Sequence, residues 1–397
     1  MRILIVHEAA AGGGGVESYL GALMPALAAR GHHVTFLHLN SRSEPGPTRL
    51  LDPRFPSVSI ADDGVEGALK KVRAWHPDLC FSHNMRALDV DEQLAAEWPV
   101  VKMLHGYFGT CISGQKAHAF PALVSCSREF GPQCLALYFP RRCGQLRPLG
   151  FVGQYTWASR QRALFDTYSQ IVVASGHMCA EYRRHGVPPE RLTVAPLFST
   201  GDDAIHMRPL PEAPSILFMG RMTTIKGGAV LARAVAEAIR LSGIPLRVVF
   251  AGEGPERPRL ETLARELRLD ASFPGWITGH ARAAAFRAAT VVAVPSLWPE
   301  PFGLVGLEGA AHGVPSVAFD VGGIREWLRD HESGRLVRDR DAAALGRALG
   351  NLCSRPDEIM RLGSGALSVA RTMSLDAHLG ILEPVFARAA NARAAIA

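Results

Sequence analysis

Pro295-Ser296-Leu297-Trp298-Pro299-Glu300-Pro301-Phe302-Gly303-Leu304-Val305-Gly306-Leu307-Glu308-Gly309-Ala310-Ala311-His312-Gly313-Val314-Pro315 is the stretch on which the reading of this chain turns. The apolar run at 291–295 reads as a buried strand. A short loop then carries Glu300, a helix is predicted over 303–312, and Gly313-Val314-Pro315 turns the chain into another strand at 316–319. The first N–H groups of such a helix, at Gly303 and Leu304, have no partner inside it and point, with the helix dipole behind them, at whatever sits in front. That arrangement suits a phosphate, and Gly303 permits a close approach of the backbone. Glu308, one to two turns into the helix, could accept both hydroxyls of a ribose. Glu300 could accept hydroxyls of a sugar. Either glutamate alone reads as a surface charge; the segment as a whole reads as a cradle for a nucleotide-diphosphate sugar.

Outward from that segment the same strand–loop–helix rhythm recurs. Towards the N-terminus lie a strand at 216–219, a loop at 220–228, a helix at 229–241, a strand at 246–251 and helices at 258–268 and 283–289. The chain starts with a strand at 3–6, a glycine loop at 12–15, a helix at 16–29 stopped by Gly31, and a strand at 34–39. Further apolar runs follow at 79–82, 100–104 and 171–174. These runs are continuous rather than alternating, as expected of parallel strands buried on both faces. Residues 107–160, rich in Cys, Gly, Pro and Arg, break the rhythm and read as an insertion or long loop. The polar, Pro-containing stretch at 199–214 reads as a linker. The expected architecture is therefore α/β: two Rossmann-like doubly wound domains, 1–198 and 215–375, facing across a cleft. A last helix at 376–397 could cross back to the first domain. Ligands of such sheets sit at the carboxyl ends of the strands, so the cleft is the expected site.

Composition excludes several classes. The 397 residues carry a formal charge of +6, but no run of basic residues marks a nucleic-acid surface. Met1-Arg2 leads straight into the first strand, so no signal peptide is expected, and no apolar stretch is long enough to span a membrane. A cytoplasmic protein is expected, with peripheral contact at the inner membrane face left open because the Arg-rich balance favours anionic lipid. In a reducing compartment the 7 cysteines are not a disulfide framework. Cys80, Cys179 and Cys353 read as core residues.

The Glu300–Glu308 segment resembles the E-x7-E motif of glycosyltransferase family 4, whose members have the GT-B fold and retain anomeric configuration. The likeness extends over essentially the whole chain. Gly220-Arg221 followed by Lys226-Gly227 is similar to the family's strand-end element, whose Arg and Lys neutralise the leaving diphosphate. Gly252-Glu253-Gly254-Pro255 resembles its turn after the next strand. Phe273-Pro274-Gly275-Trp276 resembles the region near the base, with the Ile277 backbone as the implied base contact. Phe302, Gly303 and Leu304 complete the implied donor set with Glu300 and Glu308. In the first half, Gly14-Gly15-Val16-Glu17 is similar to the family's glycine-rich loop, which approaches donor phosphate or acceptor; Gly14 and Gly15 carry that expectation. A dinucleotide fingerprint is disfavoured there, since the glycine spacing is wrong and no acidic residue ends the second strand near Leu39-Asn40.

His105, after the strand at 100–104, is similar to the family's strand-end His that faces the transferred sugar; a lone His is otherwise a structural residue. His83-Asn84 ends another strand and is a candidate acceptor-side pair. Cys111, Cys126, Cys134 and Cys143, with His118 among them, could hold a structural zinc, or be free buried thiols, since no C-x2-C knuckle occurs. No Asp-x-Asp ends a strand; Asp62-Asp63 and Asp202-Asp203 are adjacent pairs in loop-like contexts. Catalysis without a metal cofactor is therefore expected. The resemblance implies a UDP- or GDP-linked donor, a hydroxyl acceptor and same-face attack in which a donor phosphate oxygen takes the acceptor proton. Glu300, His105, Arg221 and Lys226 are the implied catalytic set. A GT-B phosphorylase, a sugar epimerase and a non-catalytic nucleotide-sugar-binding subunit remain as alternatives.

Overall fold

The computed structural model describes residues 1–12, 14–41, 48–144, 150–199, 210–211 and 213–394. The chain divides into two compact units: residues 1–120, 127–196 and 375–397 form unit 1, and residues 121–126 and 197–374 form unit 2. Most of the linker read at 199–214, and with it Asp202-Asp203, lies outside the described residues.

Among the described residues, unit 1 holds a sheet of seven parallel strands: β1 (Arg2–His7), β2 (His33–His38), β3 (Ser57–Ser59), β4 (Leu79–Ser82), β5 (Val100–Leu104), β6 (Gln170–Val173) and β7 (Leu192–Val194). Their order across the sheet is β3-β2-β1-β4-β5-β6-β7. The order reverses between β1 and β4, so these two strands flank a topological switch point. Ile3 to Val6 of β1 and Leu79 to Phe81 of β4 have no exposed surface, in keeping with their unbroken apolar runs. Helices α1 (Gly15–Ala29), α2 (Ile60–Trp75), α3 (Leu88–Glu97), α4 (Gln133–Leu137), α5 (Gly150–Ala163) and α6 (Gly176–Arg184) belong to this unit. Ser59 and Ser175 cap α2 and α6 by accepting the N–H of Asp62 and Met178. Asp62 and Asp63 thus sit in the first turn of α2 rather than in a loop, where their charge suits the helix dipole.

The break in rhythm at 107–160 is not one long irregular loop. It contains α4 and the greater part of α5, and it has a small core of its own. Ile112, Phe130, Tyr138 and Ala158 are buried there, with Cys134, Cys143, Phe151, Tyr155 and Trp157 packed against them.

Unit 2 repeats the plan. Among its described residues β8 (Ser215–Met219), β9 (Arg247–Ala251), β10 (Asp270–Gly275), β11 (Val291–Val294), β12 (Ser316–Phe319) and β13 (Gly334–Val337) form a parallel sheet in the order β10-β9-β8-β11-β12-β13. Its switch point lies between β8 and β11. Helices α7 (Gly228–Ser242), α8 (Arg257–Glu266), α9 (Gly279–Ala288), α10 (Leu304–Ala311), α11 (Ala342–Cys353) and α12 (Pro356–Thr372) cover it. The last helix, α13 (Leu375–Ala394), belongs to unit 1, where Phe386 packs edge-on against Phe81 of β4 at 4.9 Å. Both sheets are therefore Rossmann-like and doubly wound. No helix among the described residues is long and apolar enough to cross a membrane.

Candidate functional site

At the switch point of unit 2, β8 runs out into Gly220-Arg221 and on to Lys226, and β11 into the loop that carries Glu300. Glu300 is only 6% exposed. A buried carboxylate needs compensation, and this one has three donor groups making four hydrogen bonds: Lys226 Nζ reaches Oε1 at 2.8 Å and Oε2 at 2.9 Å, Ser296 Oγ donates to Oε2 at 2.7 Å, and Trp298 Nε1 donates to Oε2 at 2.9 Å. Lys226 also lies 5.5 Å from the centroid of the Trp298 ring. Its side chain stays 29% exposed, so the ammonium has a free side. Arg221 is exposed, and its side chain forms no hydrogen bond or ion pair with a described residue.

Two helix N-termini face the same strand ends, each set by a glycine in the left-handed region. Gly227 (φ 75°) precedes α7, and a Cβ there would strike the carbonyl oxygen of Pro295, so the two strand-end loops touch backbone to backbone. Gly303 (φ 86°) precedes α10, with Ile324 only 2.6 Å from where its Cβ would be. The neighbouring loops are tied in as well: Gly220 N donates to Ala251 O at 2.9 Å, Met222 N to Glu253 O at 2.7 Å and Gly252 N to Gly275 O at 2.7 Å.

Glu308, on α10, is 5% exposed and paired with Arg282 of α9. The pair joins the helix that follows β10 to the helix that follows β11. Ile277 lies half-buried between β10 and α9, beside a Trp276 that is well exposed. Phe302 differs from expectation: its side chain is core, and its carbonyl oxygen is taken by Trp327 Nε1 at 2.7 Å. Only its backbone N–H is left to a ligand.

In unit 1, four adjacent strand ends each deliver a histidine: His38 closes β2, His7 closes β1, His83 follows β4 and His105 follows β5. His83 is fully buried, so it does not touch an acceptor directly as expected; its Nδ1 lies 3.0 Å from Nε2 of His105. Asn84 is half-buried, and its carbonyl accepts Glu8 N at 2.9 Å. Burial drives the His83 imidazole well below its usual range, with His105 adding to the shift. His105 keeps part of its ring open, yet burial pushes it down to about 3. His378 of α13 is pushed down to about 4 by burial; its Nδ1 lies 2.8 Å from Pro196 O and its Nε2 2.8 Å from Tyr19 OH. Below the cluster, Lys102 and Asp91 form a buried pair at 2.5 Å, and Lys102 also donates to Ser82 Oγ at 3.0 Å and His83 O at 2.6 Å.

The loop at Gly14 and Gly15 starts α1, with Gly14 as its N-cap. Glu17 turns back onto that end and accepts from His7 at 3.4 Å, a bond that, as its largest cause, lowers the Glu17 carboxyl below its usual value. The positive end of α1 therefore already faces a carboxylate, and a phosphate placed there would meet like charge.

The family models meet this geometry from two sides. The model described as Glycosyltransferase Family 4 matches residues 13–198, and the one described as Glycosyl transferases group 1 matches residues 213–355. The chain belongs to glycosyltransferase family 4. Among curated family relatives, D-inositol 3-phosphate glycosyltransferase of Nocardia farcinica is 36% identical over 218 residues, 50% of this chain and 48% of the relative. The corresponding protein of Stackebrandtia nassauensis is 39% identical over 201 residues, 46% and 45% of the two chains. The chain thus spans about half the length of the curated relatives it matches. Among solved structures, sucrose-phosphate synthase of Thermosynechococcus elongatus aligns with a TM-score of 0.74 at 21% identity over 98% of both chains. Anabaena HepE, solved with UDP and glucose, aligns with a TM-score of 0.70 at 19% identity over 97% of this chain and 99% of its own. This likeness establishes the GT-B fold for the family 4 chain.

The zinc centre is not assembled. No three His, Cys, Asp or Glu side chains among the described residues are gathered as metal ligands. Cys134 and Cys143 pack on the small core of the 107–160 stretch, the Cys111 thiol lies 3.4 Å from Ser113 Oγ, and Cys126 belongs to the other unit. Cys80 and Cys353 are buried, whereas Cys179 is half-buried. Sequence reading missed Ser296, Trp298, Arg282, His7 and Glu17. His7 alone had a usable signal, since it ends an apolar run just as His83 and His105 do.

Proposed function

We propose that this family 4 chain is a retaining glycosyltransferase that moves a hexose from a nucleotide-diphosphate sugar to a hydroxyl of a glycan, lipid-linked or small-molecule acceptor, in bacterial polysaccharide or glycoconjugate synthesis. One observation carries the reading: the buried Glu300, held by Lys226, Ser296 and Trp298 at the switch point of unit 2, beside the unpaired Arg221. Three donor groups fix Glu300, and its Oε1, which accepts only from Lys226, can orient a hydroxyl of the donor sugar. Arg221, the free side of Lys226 and the N–H groups of Gly303 and Leu304 receive the diphosphate and stabilise its charge as the anomeric bond breaks. Glu308, aligned by Arg282, takes the ribose hydroxyls, and the Ile277 backbone meets the base. Both glutamates are engaged by cations, which leaves neither poised as a covalent nucleophile. Retention then follows from attack on the face the diphosphate leaves, with a phosphate oxygen accepting the proton. Unit 1 is assigned to the acceptor side, and its His105 to a sugar hydroxyl.

UDP is the favoured diphosphate because HepE was solved with UDP; GDP is the alternative. Calorimetric titration with UDP and GDP tests the donor site, and binding of neither would refute it. Activity is expected to persist in EDTA, and a strict divalent requirement would count against the proposed cation set. Peripheral contact with anionic lipid is supported by one surface of unit 1. Phe120 (50% exposed) and Phe139 (37%) lie there beside Arg141 and Arg142, which form no ion pair with a described residue. Vesicle flotation should recover the protein with anionic and not with neutral vesicles; equal recovery would refute the contact.

A further inference from the structure

We propose that His83 is a positioning residue that fixes the tautomer of His105, so that His105 presents a hydrogen-bond donor at Nδ1 and does not act there as a base. The inference rests on the reading that His105 meets a sugar hydroxyl.

A single hydrogen bond, 3.0 Å between His83 Nδ1 and His105 Nε2, joins two rings that burial keeps neutral. Each neutral imidazole carries one proton, and one proton lies between the two rings. Two arrangements are possible. If the shared proton belongs to His105 Nε2, then His83 Nδ1 is bare and His83 carries its own proton on Nε2. That nitrogen is sealed from solvent and has no acceptor, so the N–H would be orphaned in the interior. If the shared proton belongs to His83 Nδ1, the sealed nitrogen is a bare lone pair. Orphaned buried N–H groups are the rarer and costlier of the two. The second arrangement is therefore the one the fold selects, and His105 must then be protonated on Nδ1.

The His83 ring is held in place. It has no exposed surface, lies edge-to-face with Phe81 at 4.3 Å, and has the Tyr19 ring 5.8 Å away. Its own carbonyl is gripped by Lys102 Nζ at 2.6 Å, and that buried cation opposes a second positive charge nearby. Tyr19 is fixed in turn: His378 Nδ1 can only donate to the Pro196 carbonyl, so His378 Nε2 accepts from the tyrosine hydroxyl. His105 Nδ1, by contrast, bonds to no described residue and is not among the sealed atoms. It is the one nitrogen of the pair that a ligand can reach. Carrying a proton, it donates to a hydroxyl oxygen and leaves that hydroxyl's own proton for another acceptor.

Long-range proton–nitrogen NMR of 15N-histidine-labelled protein reads the tautomer directly. His105 is expected to show a protonated Nδ1 and a bare Nε2; the reverse pattern overturns the proposal. Two variants test the source of the effect, with thermal melts confirming that each is folded. His83→Asn keeps an N–H near the Nδ1 position and should leave the His105 tautomer unchanged, whereas His83→Leu removes it and should release His105 to a mixture. The same variants are titrated with UDP-glucose against UDP and with GDP-mannose against GDP, using whichever pair shows a sugar increment in the wild type. His83→Leu should lose about tenfold of that increment, the scale of one hydrogen bond, and His83→Asn should keep it. Equal loss in both, with affinity for the bare diphosphate unchanged, overturns the positioning role. Failure of the wild type to bind either diphosphate would refute the donor reading instead, and the spectra alone would then decide the tautomer.

Discussion

Acidification should cost unit 1 stability, and His378 allows the size of the effect to be worked out. The side chain is 2% exposed and its folded-state value is pushed down to about 4, against about 6.5 for an unperturbed histidine. The folded protein therefore binds fewer protons than the unfolded chain between those two values. Stability is fully present above about pH 6.5 and is lost as the pH falls through the window towards 4. From pH 7 to pH 5 the unfolded chain gains the free energy of protonating one histidine and the folded chain gains almost none, a loss of about 2 kcal/mol for this one side chain. The figure is insensitive to the folded value so long as that stays at 4 or below. His105 and His83 are shifted in the same direction, so the total loss in the wild type should exceed the share of His378. His378→Asn isolates that share, because it removes the titration and keeps a donor for the Pro196 carbonyl. The assay is urea unfolding at pH 7 and pH 5, followed by hydrogen exchange in peptides of β1, β4 and β5. The loss on acidification should be about 2 kcal/mol smaller in the variant than in the wild type. An identical pH dependence in the two proteins would refute the reasoning.

Other perturbations follow from the same structure. Lys102→Met should destabilise unit 1 by about 3–5 kcal/mol by stranding the fully buried Asp91, and pairing it with Asp91→Leu should recover much of that; urea unfolding of the single and double variants checks both. Gly227→Ala should cost ~2 kcal/mol or more, because φ is positive and the Cβ meets the Pro295 carbonyl. Gly15→Ala, with open space around it, should leave the melting temperature unchanged. Arg221→Gln should weaken UDP binding by ~10- to 100-fold, the scale of a charge-assisted hydrogen bond, without shifting the melting temperature, since the Arg221 side chain pairs with no described residue.

The fold was largely legible because β1, β4, β8 and β11 are short, predominantly apolar runs, as parallel strands covered on both faces require, and β5 departs from that pattern only at the buried Lys102. Within the 107–160 stretch the helices could not be read from sequence, because its core is small and aromatic. Phe130, Tyr138, Phe151, Tyr155 and Trp157 are scattered among Arg, Gly and Pro with no single period, so the helix α5 inside it left no clean signal. At the site, what could be read were residues whose place follows from their own strand end, such as Glu300, Lys226, His83 and His105. What could not be read were partners brought together by tertiary packing. Arg282 stands 26 residues before Glu308, and nothing in either local sequence connects them. The direction of a side chain was equally hidden: Phe302 neighbours Gly303 in sequence, but its ring belongs to the core. The depth of His83 could not be inferred either, because a strand-end residue faces solvent or protein depending on what α1 and α13 place above it.

The central claim, retaining transfer from a nucleotide-diphosphate sugar, is tested most directly by the anomeric configuration of the first product. Purified protein is incubated with a panel of UDP- and GDP-linked α-hexoses and hydroxyl acceptors, and the new linkage is read by proton NMR before any anomerisation. An α-linkage from an α-linked donor, abolished in Glu300→Gln, is the predicted result. A β-linked product would contradict the account, as would transfer that proceeds unimpaired without Glu300.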